Sequence, residues 1–275
     1  MDVLLDIRNL LLDFSNQQFK LHCKNPLNRV ANKGFSQTDE DGITTEICAR
    51  LGLQGQFAEF GVSHGYECNT LILLAQGWRG LWVDGMDLAI SLENQSRLQF
   101  KKRWVTLDNL NEILGPQHYD LISMDLDGND LHFVKHILQA NYRPKVWIVE
   151  YNAKFLPPAK FCIDYDPQHQ WQGDDWFGAS LQSYADLFTE HDYTLVACNH
   201  HTGANAWFVC NTTKHKFADV PTDIKDLYMS PRYYLPTQYG HQLSHRRLYR
   251  GGGSPAFRDG KPSAKRAGGS PPRTW

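Results

Sequence analysis

The chain lacks several features that would assign it to a class at once. No hydrophobic run approaches the roughly 18 to 20 residues of a membrane-spanning helix, and the acidic, interrupted N-terminus is unlike a signal peptide. The six cysteines include no Cys-x-x-Cys pair, so we expect reduced, buried thiols and no disulfide framework. These absences lead us to expect a cytoplasmic protein with no membrane partner.

Basic residues are scarce outside the C-terminal end. Residues 246–275 hold eight lysines or arginines and one acid, whereas the rest of the chain has nine more acidic than basic residues. An acidic body argues against a nucleic-acid partner. Residues 251–275 are rich in Gly, Pro, Ser and Arg and predict a disordered basic tail.

A glycine loop between a strand-like and a helix-like segment is the most informative feature. An apolar run over residues 56–62 carries Glu59 and Gly61, and Gly65 follows. Glycine allows positive φ and close ligand approach, and a helix beginning near Glu67 would aim unpaired N–H groups at the loop. The Gly-x-Gly-x-x-Gly of dinucleotide enzymes is absent, and Glu59 would meet a pyrophosphate near its approach path. The loop therefore favours a cationic nucleoside without phosphate.

A second acid follows the next apolar run. Residues 79–84 read Arg-Gly-Leu-Trp-Val-Asp, so Asp84 stands at the tip of a predicted second strand. One carboxylate at this position can accept two hydrogen bonds from a ribose diol. Asp84 is the predicted ribose ligand.

Alternating strand-like and helix-like segments predict an α/β fold. We expect a doubly wound, mostly parallel seven-stranded sheet that ends in a C-terminal antiparallel hairpin. The predicted strands are 56–62, 79–84, 103–107, 119–125, 145–151, 193–198 and 205–210, and the predicted helices are 2–24, 41–51, 67–76, 88–101, 108–114, 130–140 and 180–190. The predicted domains are a helical cover (1–52), a core (53–215) with an aromatic insertion (153–178), an extension (216–250) and the tail (251–275).

Polar residues collect where the fourth and fifth predicted strands end. Asp125 and Asp127 follow the fourth strand, and Glu150 and Asn152 follow the fifth. Parallel strands bring such residues to one sheet edge, so these four are the catalytic candidates. One carboxylate can act as general base, hold the cofactor's amino group, or share a divalent cation with the others. Asp130 is predicted to cap the next helix.

Three blocks resemble the Rossmann-like S-adenosylmethionine-dependent methyltransferases, and more narrowly their FkbM-type branch. The blocks are Ser-Gln-Thr-Asp-Glu-Asp-Gly-Ile at 36–43, the glycine loop with Asp84, and Asp-Leu-Ile-Ser-Met-Asp-Leu-Asp-Gly-Asn-Asp at 120–130. The resemblance implies methyl transfer from S-adenosylmethionine to an oxygen of a hydroxylated small molecule or sugar. It also implies that Glu59, Gly61 and Gly65 shape the cofactor loop, that Asp84 and Asp125 contact the cofactor, and that Asp108 approaches the adenine.

Several alternatives stay open from the sequence. A nicotinamide-dependent oxidoreductase and a non-catalytic scaffold are compatible with a related fold. His200 or His201, in the hairpin connector, can serve as the base instead of a carboxylate. His132 and His136 are predicted surface residues. Residues 153–178 form either an aromatic lid over the acceptor or a packed hydrophobic cluster.

Overall fold

The computed structural model describes residues 3–92 and 95–232. Seven strands form one sheet in the order β3-β2-β1-β4-β5-β7-β6, in which only β7 runs antiparallel to its neighbours. The predicted fold class is confirmed. The strands are β1 (Gln56–Phe60), β2 (Arg79–Asp84), β3 (Leu98–Lys102), β4 (Leu121–Met124), β5 (Val146–Glu150), β6 (Tyr193–Cys198) and β7 (Asn205–Cys210).

Helices precede the sheet and connect its strands. The helices are α1 (Val3–His22), α2 (Pro26–Arg29), α3 (Glu40–Leu51), α4 (Leu71–Ala75), α5 (Leu110–Leu114), α6 (Asp130–Gln139), α7 (Leu181–Glu190) and α8 (Ile224–Leu227), and a 3-10 helix spans Asn211–Phe217. In the described part of the chain, no helix is long and apolar enough to cross a membrane. The predicted basic tail and the end of the predicted extension lie outside the described residues.

The predictions around β3 and α4 were wrong. In place of the predicted helix 88–101, the chain forms a loop that leads into β3, and the predicted strand 103–107 lies beyond the end of β3. In β3, the buried or half-buried side chains of Leu98 and Phe100 alternate with polar residues. This period of two is the pattern of a strand. The helix predicted over 67–76 starts only at Leu71, because residues 61–70 form a loop anchored by Glu59.

Large aromatic side chains fill the core. Trp82, Trp147 and Trp207 are fully buried, and Trp78 is nearly so. The central strands β1, β4 and β5 are buried along almost their whole length. Continuous burial of this kind explains why most residues of these strands are apolar.

The block at 36–43 fastens a loop in front of the sheet. Asp41 Oδ2 accepts hydrogen bonds from the backbone N–H groups of Gly34, Phe35 and Ser36 at 2.5–2.8 Å. Glu40 accepts from the Thr38 N–H and hydroxyl, both at 2.8 Å. Asp41 was predicted to help begin a helix, and its carboxylate instead fixes the loop that precedes α3.

The buried ring of His200 makes stability depend on pH. Burial, followed by the charges of Arg232, His201 and Lys20, lowers the pKa of His200 to about 3. An unfolded histidine titrates near 6.5, so the native state binds fewer protons and loses stability as pH falls from about 6.5 toward 3. The loss from this residue is about 2 kcal/mol at pH 5.

We expect His200→Phe, which preserves a ring but cannot be protonated, to remove that part of the pH dependence. Urea unfolding at about pH 7.5 and about pH 5 should show a difference in unfolding free energy roughly 2 kcal/mol smaller than in the parent chain. His118→Phe, at a largely exposed position, is the control and should leave the difference nearly unchanged. An equal difference in parent and His200→Phe would contradict the assignment.

Candidate active site

A cavity of about 650 Å³ opens at the carboxyl ends of the central strands. This is the edge at which open α/β sheets bind ligands. A second cavity, of about 360 Å³, lies at the opposite edge beside residues 116–119 and 140–144. The lining of the larger cavity comprises Gln37, Glu59, Gly61, Ser63, Glu67, Asn69, Asp84, Gly85, Met86, Arg103, Trp104, Val105, Asp125, Leu126, Asp127, Asn129, Phe133, Glu150, His169, Gln170 and Asn205.

The glycine loop follows β1 directly into the cavity wall. Gly61 has φ +84°, and a Cβ atom there would lie 1.5 Å from the Asp125 carbonyl oxygen, so only glycine allows the loop to pass the end of β4. Gly65 also has positive φ, and its N–H donates to the Val62 carbonyl at 2.8 Å. Gly65 is not among the lining residues, whereas Ser63 is.

Glu59 occupies the backbone donors that precede α4. Its carboxylate accepts hydrogen bonds from the N–H groups of Asn69 at 2.7 Å and Thr70 at 3.1 Å, and from the Thr70 hydroxyl at 2.5 Å. Burial raises the pKa of Glu59 to about 7, against the lowering effect of these hydrogen bonds. The sequence predicted unpaired N–H groups here, and the structure shows two of them paired. A pyrophosphate therefore cannot use them.

Asp84 ends β2 and faces the cavity beside the glycine loop. Oδ2 accepts from the Ser63 N–H and Oδ1 from the Met86 N–H, both at 2.7 Å. The carboxylate therefore fixes the loop to the second strand. Each oxygen has a second lone pair, so the group can still accept from two ligand hydroxyls.

Asp108 lies away from the cavity. The third strand ends at Lys102 and not at 107, so Asp108 falls in a later turn, is exposed, and does not line the cavity. Arg103, Trp104 and Val105 take the expected place beyond the third strand. The structure does not support the predicted position of Asp108 near the adenine.

Three predicted acids meet at the ends of β4 and β5. One oxygen of each of Asp125, Asp127 and Glu150 lies within 4.8 Å of the other two. Burial, reinforced by repulsion among neighbouring carboxylates, raises the pKa of Asp125 and Glu150 well above the usual range. Asp127 is the exposed member of the three, and partial desolvation, followed by the charges of Asp130 and Asp84, raises its pKa to about 6. The group can share protons or bind a cation.

Asp130 stabilises the turn that carries these acids. Its carboxylate accepts from the N–H groups of Leu126 at 2.6 Å and Gly128 at 2.8 Å. It is the first residue of α6, after the N-cap Asn129, and its bonds run backward into the turn. The predicted capping role was therefore wrong, because the carboxylate fixes residues 126–128 instead.

Asn205 is a cavity residue that the sequence did not indicate. It begins β7 and pairs with Glu150 across the antiparallel β5–β7 register. Glu150 Oε2 and Asn205 Oδ1 are both buried and have no hydrogen-bond partner among the described residues. Carboxylate and amide oxygens are ligands that hard divalent cations prefer, so this donor set fits Mg²⁺ or Ca²⁺.

Asn152 does not join the acids. It is fully buried, and its amide donates to the carbonyl oxygens of Asp175 at 2.9 Å and Phe177 at 3.1 Å. β5 ends at Glu150, so the chain has already turned away from the edge. The structure thus places this predicted catalytic residue in the support of the 153–178 insertion.

The insertion reaches the cavity through polar residues. His169 and Gln170 line the cavity, and the His169 ring lies so close to Gly128 that a Cβ there would be 2.2 Å from it. The aromatic residues pack on one another instead, as in the stacked Phe155–Phe161 pair with ring centroids 3.9 Å apart. The structure thus supports the packed-cluster alternative for these aromatics.

The other predicted histidines lie outside the cavity lining. The ring of His200 stacks on Phe19 with centroids 3.3 Å apart, and a ring nitrogen of His201 lies 3.2 Å from the Asn16 amide. His132 was predicted to be a surface residue, but it is half-buried with Nε2 2.9 Å from the Ile163 carbonyl oxygen. None of these three is positioned to act as the base.

No family model and no curated protein sequence matches the chain. Among solved structures, the 1,6-didemethyltoxoflavin-N1-methyltransferase of Burkholderia thailandensis, with S-adenosylhomocysteine bound, is 16% identical over 60% of this chain and 74% of its own, with a TM-score of 0.41. A candidate O-methyltransferase from Klebsiella pneumoniae is 14% identical over 75% and 96%, TM-score 0.41. An S-adenosylmethionine-dependent methyltransferase from Clostridium acetobutylicum is 14% identical over 61% and 89%, TM-score 0.36.

The strand order β3-β2-β1-β4-β5-β7-β6, with the antiparallel β7 between β5 and β6, is the arrangement of the Rossmann-like methyltransferase fold. A fold does not establish an activity. Activity must be inferred from the chain's own cavity.

Proposed function

We propose that the chain is an S-adenosylmethionine-dependent methyltransferase that methylates an oxygen of a hydroxylated small molecule or sugar. The observation that carries this proposal is the charge of the cavity lining. Six carboxyl groups face the cavity, against Arg103 and His169 as basic groups, and Glu59 already occupies the donors before α4. Such a site favours a cationic cofactor and disfavours a pyrophosphate.

The lining offers a place for each part of the cofactor. Asp84 can hold the ribose diol, and Met86, Trp104 and Val105 offer apolar surface to the adenine. Gly61 leaves the loop open to close approach. When bound, S-adenosylmethionine would supply an electrophilic methyl group on a positively charged sulfur. The carboxylates of the cavity lining can stabilise that positive charge.

The remaining tasks belong to the chain's own residues. They must align an acceptor hydroxyl, exclude water and take the hydroxyl proton as its oxygen bonds to the methyl carbon. Burial and neighbouring carboxylates raise the pKa of Asp125 and of Glu150, and a carboxylate with a raised pKa is a stronger base for the hydroxyl proton. Oxygen as the acceptor atom, and the FkbM-type branch, are supported by the resemblance of the blocks at 36–43 and 120–130.

A divalent cation at the same acids is the second candidate role. The unpartnered oxygens Glu150 Oε2 and Asn205 Oδ1 favour it, together with Asp125 and Asp127. A bound cation would supply a positive charge that orients an acceptor oxygen and lowers its pKa.

Calorimetric titration separates the candidate functions. We expect the purified chain to bind S-adenosylmethionine and S-adenosylhomocysteine with micromolar affinity and not to bind NAD⁺ measurably, because the lining is acidic. Binding of NAD⁺ in preference would instead indicate an oxidoreductase. Failure to bind any of the three would indicate a scaffold that lacks catalytic function.

A further inference from the structure

The N-terminal helix α1 presents two faces. One face is held by the body of the protein, where Phe19 stacks on His200 and the Asn16 amide lies 3.2 Å from His201. Leu12, Asn16 and Phe19, at helical spacing, are half-buried on this side. The helix is therefore attached along one face, and the opposite face points outward.

The outward face carries a regular apolar row. We name the residues at positions 7, 11, 14, 18 and 21 the α1 stripe, which consists of Ile7, Leu11, Phe14, Gln18 and Leu21. Steps of four and three residues are the a and d positions of a heptad, the pattern of helices that pair with helices. The four apolar members are 48%, 64%, 61% and 72% exposed in chain order.

We propose that the α1 stripe packs against the α1 stripe of a second copy of this chain, as a parallel helix pair around a two-fold axis. A two-fold contact requires a surface that is complementary to itself. In a parallel pair each stripe residue meets its own counterpart, so apolar side chains meet apolar side chains. The Gln18 amides can then hydrogen-bond to each other, as polar a-position residues do when they fix register.

The position of Gln18 argues against the other orientation. An antiparallel pair sets a positions against d positions, so Gln18 would face Ile7 or Phe14 and its amide would lose water without gaining a partner. Charge does not oppose the parallel pair, because Arg8 is the only formally charged residue at the flanking e and g positions 8, 10, 15, 17 and 22. A lipid surface is a poorer match, since such helices carry a lysine- and arginine-rich polar face.

The exposed area is enough for a reversible dimer. The four apolar stripe residues and the neighbouring Leu10, also exposed, can each bury roughly 100 Å², which gives about 1,000 Å² over two copies. This is near the lower limit for specific interfaces. We therefore expect a dissociation constant of about 1 to 10 µM.

Sedimentation equilibrium of the full chain from about 1 to 100 µM tests the proposal. The parent chain should pass from a 31.6 kDa monomer to twice that mass. Leu11→Glu should raise the dissociation constant at least about a hundredfold, and Gln18→Leu should lower it about tenfold. Asp13→Lys changes the charge on the same helix away from the stripe and is the control that should dimerise normally. Because these side chains are exposed, thermal unfolding should show every variant folded.

Cysteine cross-linking tests the orientation. Leu11→Cys should give an interchain disulfide in the parallel pair, where the two copies of position 11 meet, at a level above that of the parent chain with its own thiols. Dimerisation without this cross-link would overturn the parallel register. A parent chain that stays monomeric at about 100 µM, or that binds liposomes through Leu11 instead of itself, would overturn the proposal.

Discussion

Asp84→Ala is expected to weaken S-adenosylmethionine binding by about 2 to 4 kcal/mol, through the loss of two charge-assisted hydrogen bonds to the ribose. The substitution should also have a second effect, because the Asp84 carboxylate accepts hydrogen bonds from the backbone N–H groups of Ser63 and Met86. The variant loses a loop anchor as well as a ligand contact. Affinity alone therefore cannot assign the loss to the ribose.

A ligand pair separates the two effects. S-adenosylhomocysteine and an analogue without the ribose hydroxyls should differ in affinity for the parent chain and bind Asp84→Ala almost equally. If the substitution only disordered the loop, it would weaken the binding of both ligands alike and preserve the difference between their affinities. Asp87→Asn is the control, because Asp87 is three residues beyond Asp84, its carboxylate is largely exposed, and it pairs with Lys102 at the end of β3. If Asp84→Ala still binds S-adenosylhomocysteine more tightly than the analogue, another residue holds the ribose.

The ends of β2, β4 and β5 could be predicted from the sequence because each is marked locally. A buried parallel strand is an apolar run, and the first acid after the run stands at the sheet edge, as for Asp84, Asp125 and Glu150. The hairpin was predictable because the connector between β6 and β7 is short. Local chain properties were sufficient for these features.

The misplaced residues depend on distant parts of the chain. Asn205 is placed beside Glu150 only by the register of β7 on β5. The Asn152 amide is held by hydrogen bonds to carbonyl groups that lie more than twenty residues further along the chain. Asp108 was misplaced because the lysines of β3 obscured a short edge strand. The pairing of the N–H groups before α4 could not be predicted, because it depends on the Glu59 side chain turning toward Asn69 and Thr70.

Asp125→Asn is expected to reduce turnover about a hundredfold or more while S-adenosylmethionine still binds. Asp125 lies with Asp127 and Glu150, one oxygen of each within 4.8 Å of the others. A carboxamide preserves the size of the group but can neither accept a proton at neutral pH nor bring a negative charge to a cation. Methyl transfer should be followed as S-adenosylhomocysteine formation with a hydroxylated acceptor. Asp164→Asn, at an exposed position of the insertion, is the control.

Cation binding decides between the two roles of Asp125. If the acids bind a metal, calorimetric titration with Mn²⁺ or Mg²⁺ should show one site in the parent chain and in Asp164→Asn and none in Asp125→Asn, and EDTA should abolish turnover until Mg²⁺ is restored. If Asp125 is the base, EDTA should leave turnover unchanged and the parent chain should show no such site. In both cases Glu150→Gln should also impair turnover, because one oxygen of Glu150 lies within 4.8 Å of one oxygen of Asp125 and the two carboxyl groups share one site. Parental turnover in Asp125→Asn would mean that the catalytic group lies elsewhere in the cavity, where His169 is the remaining imidazole.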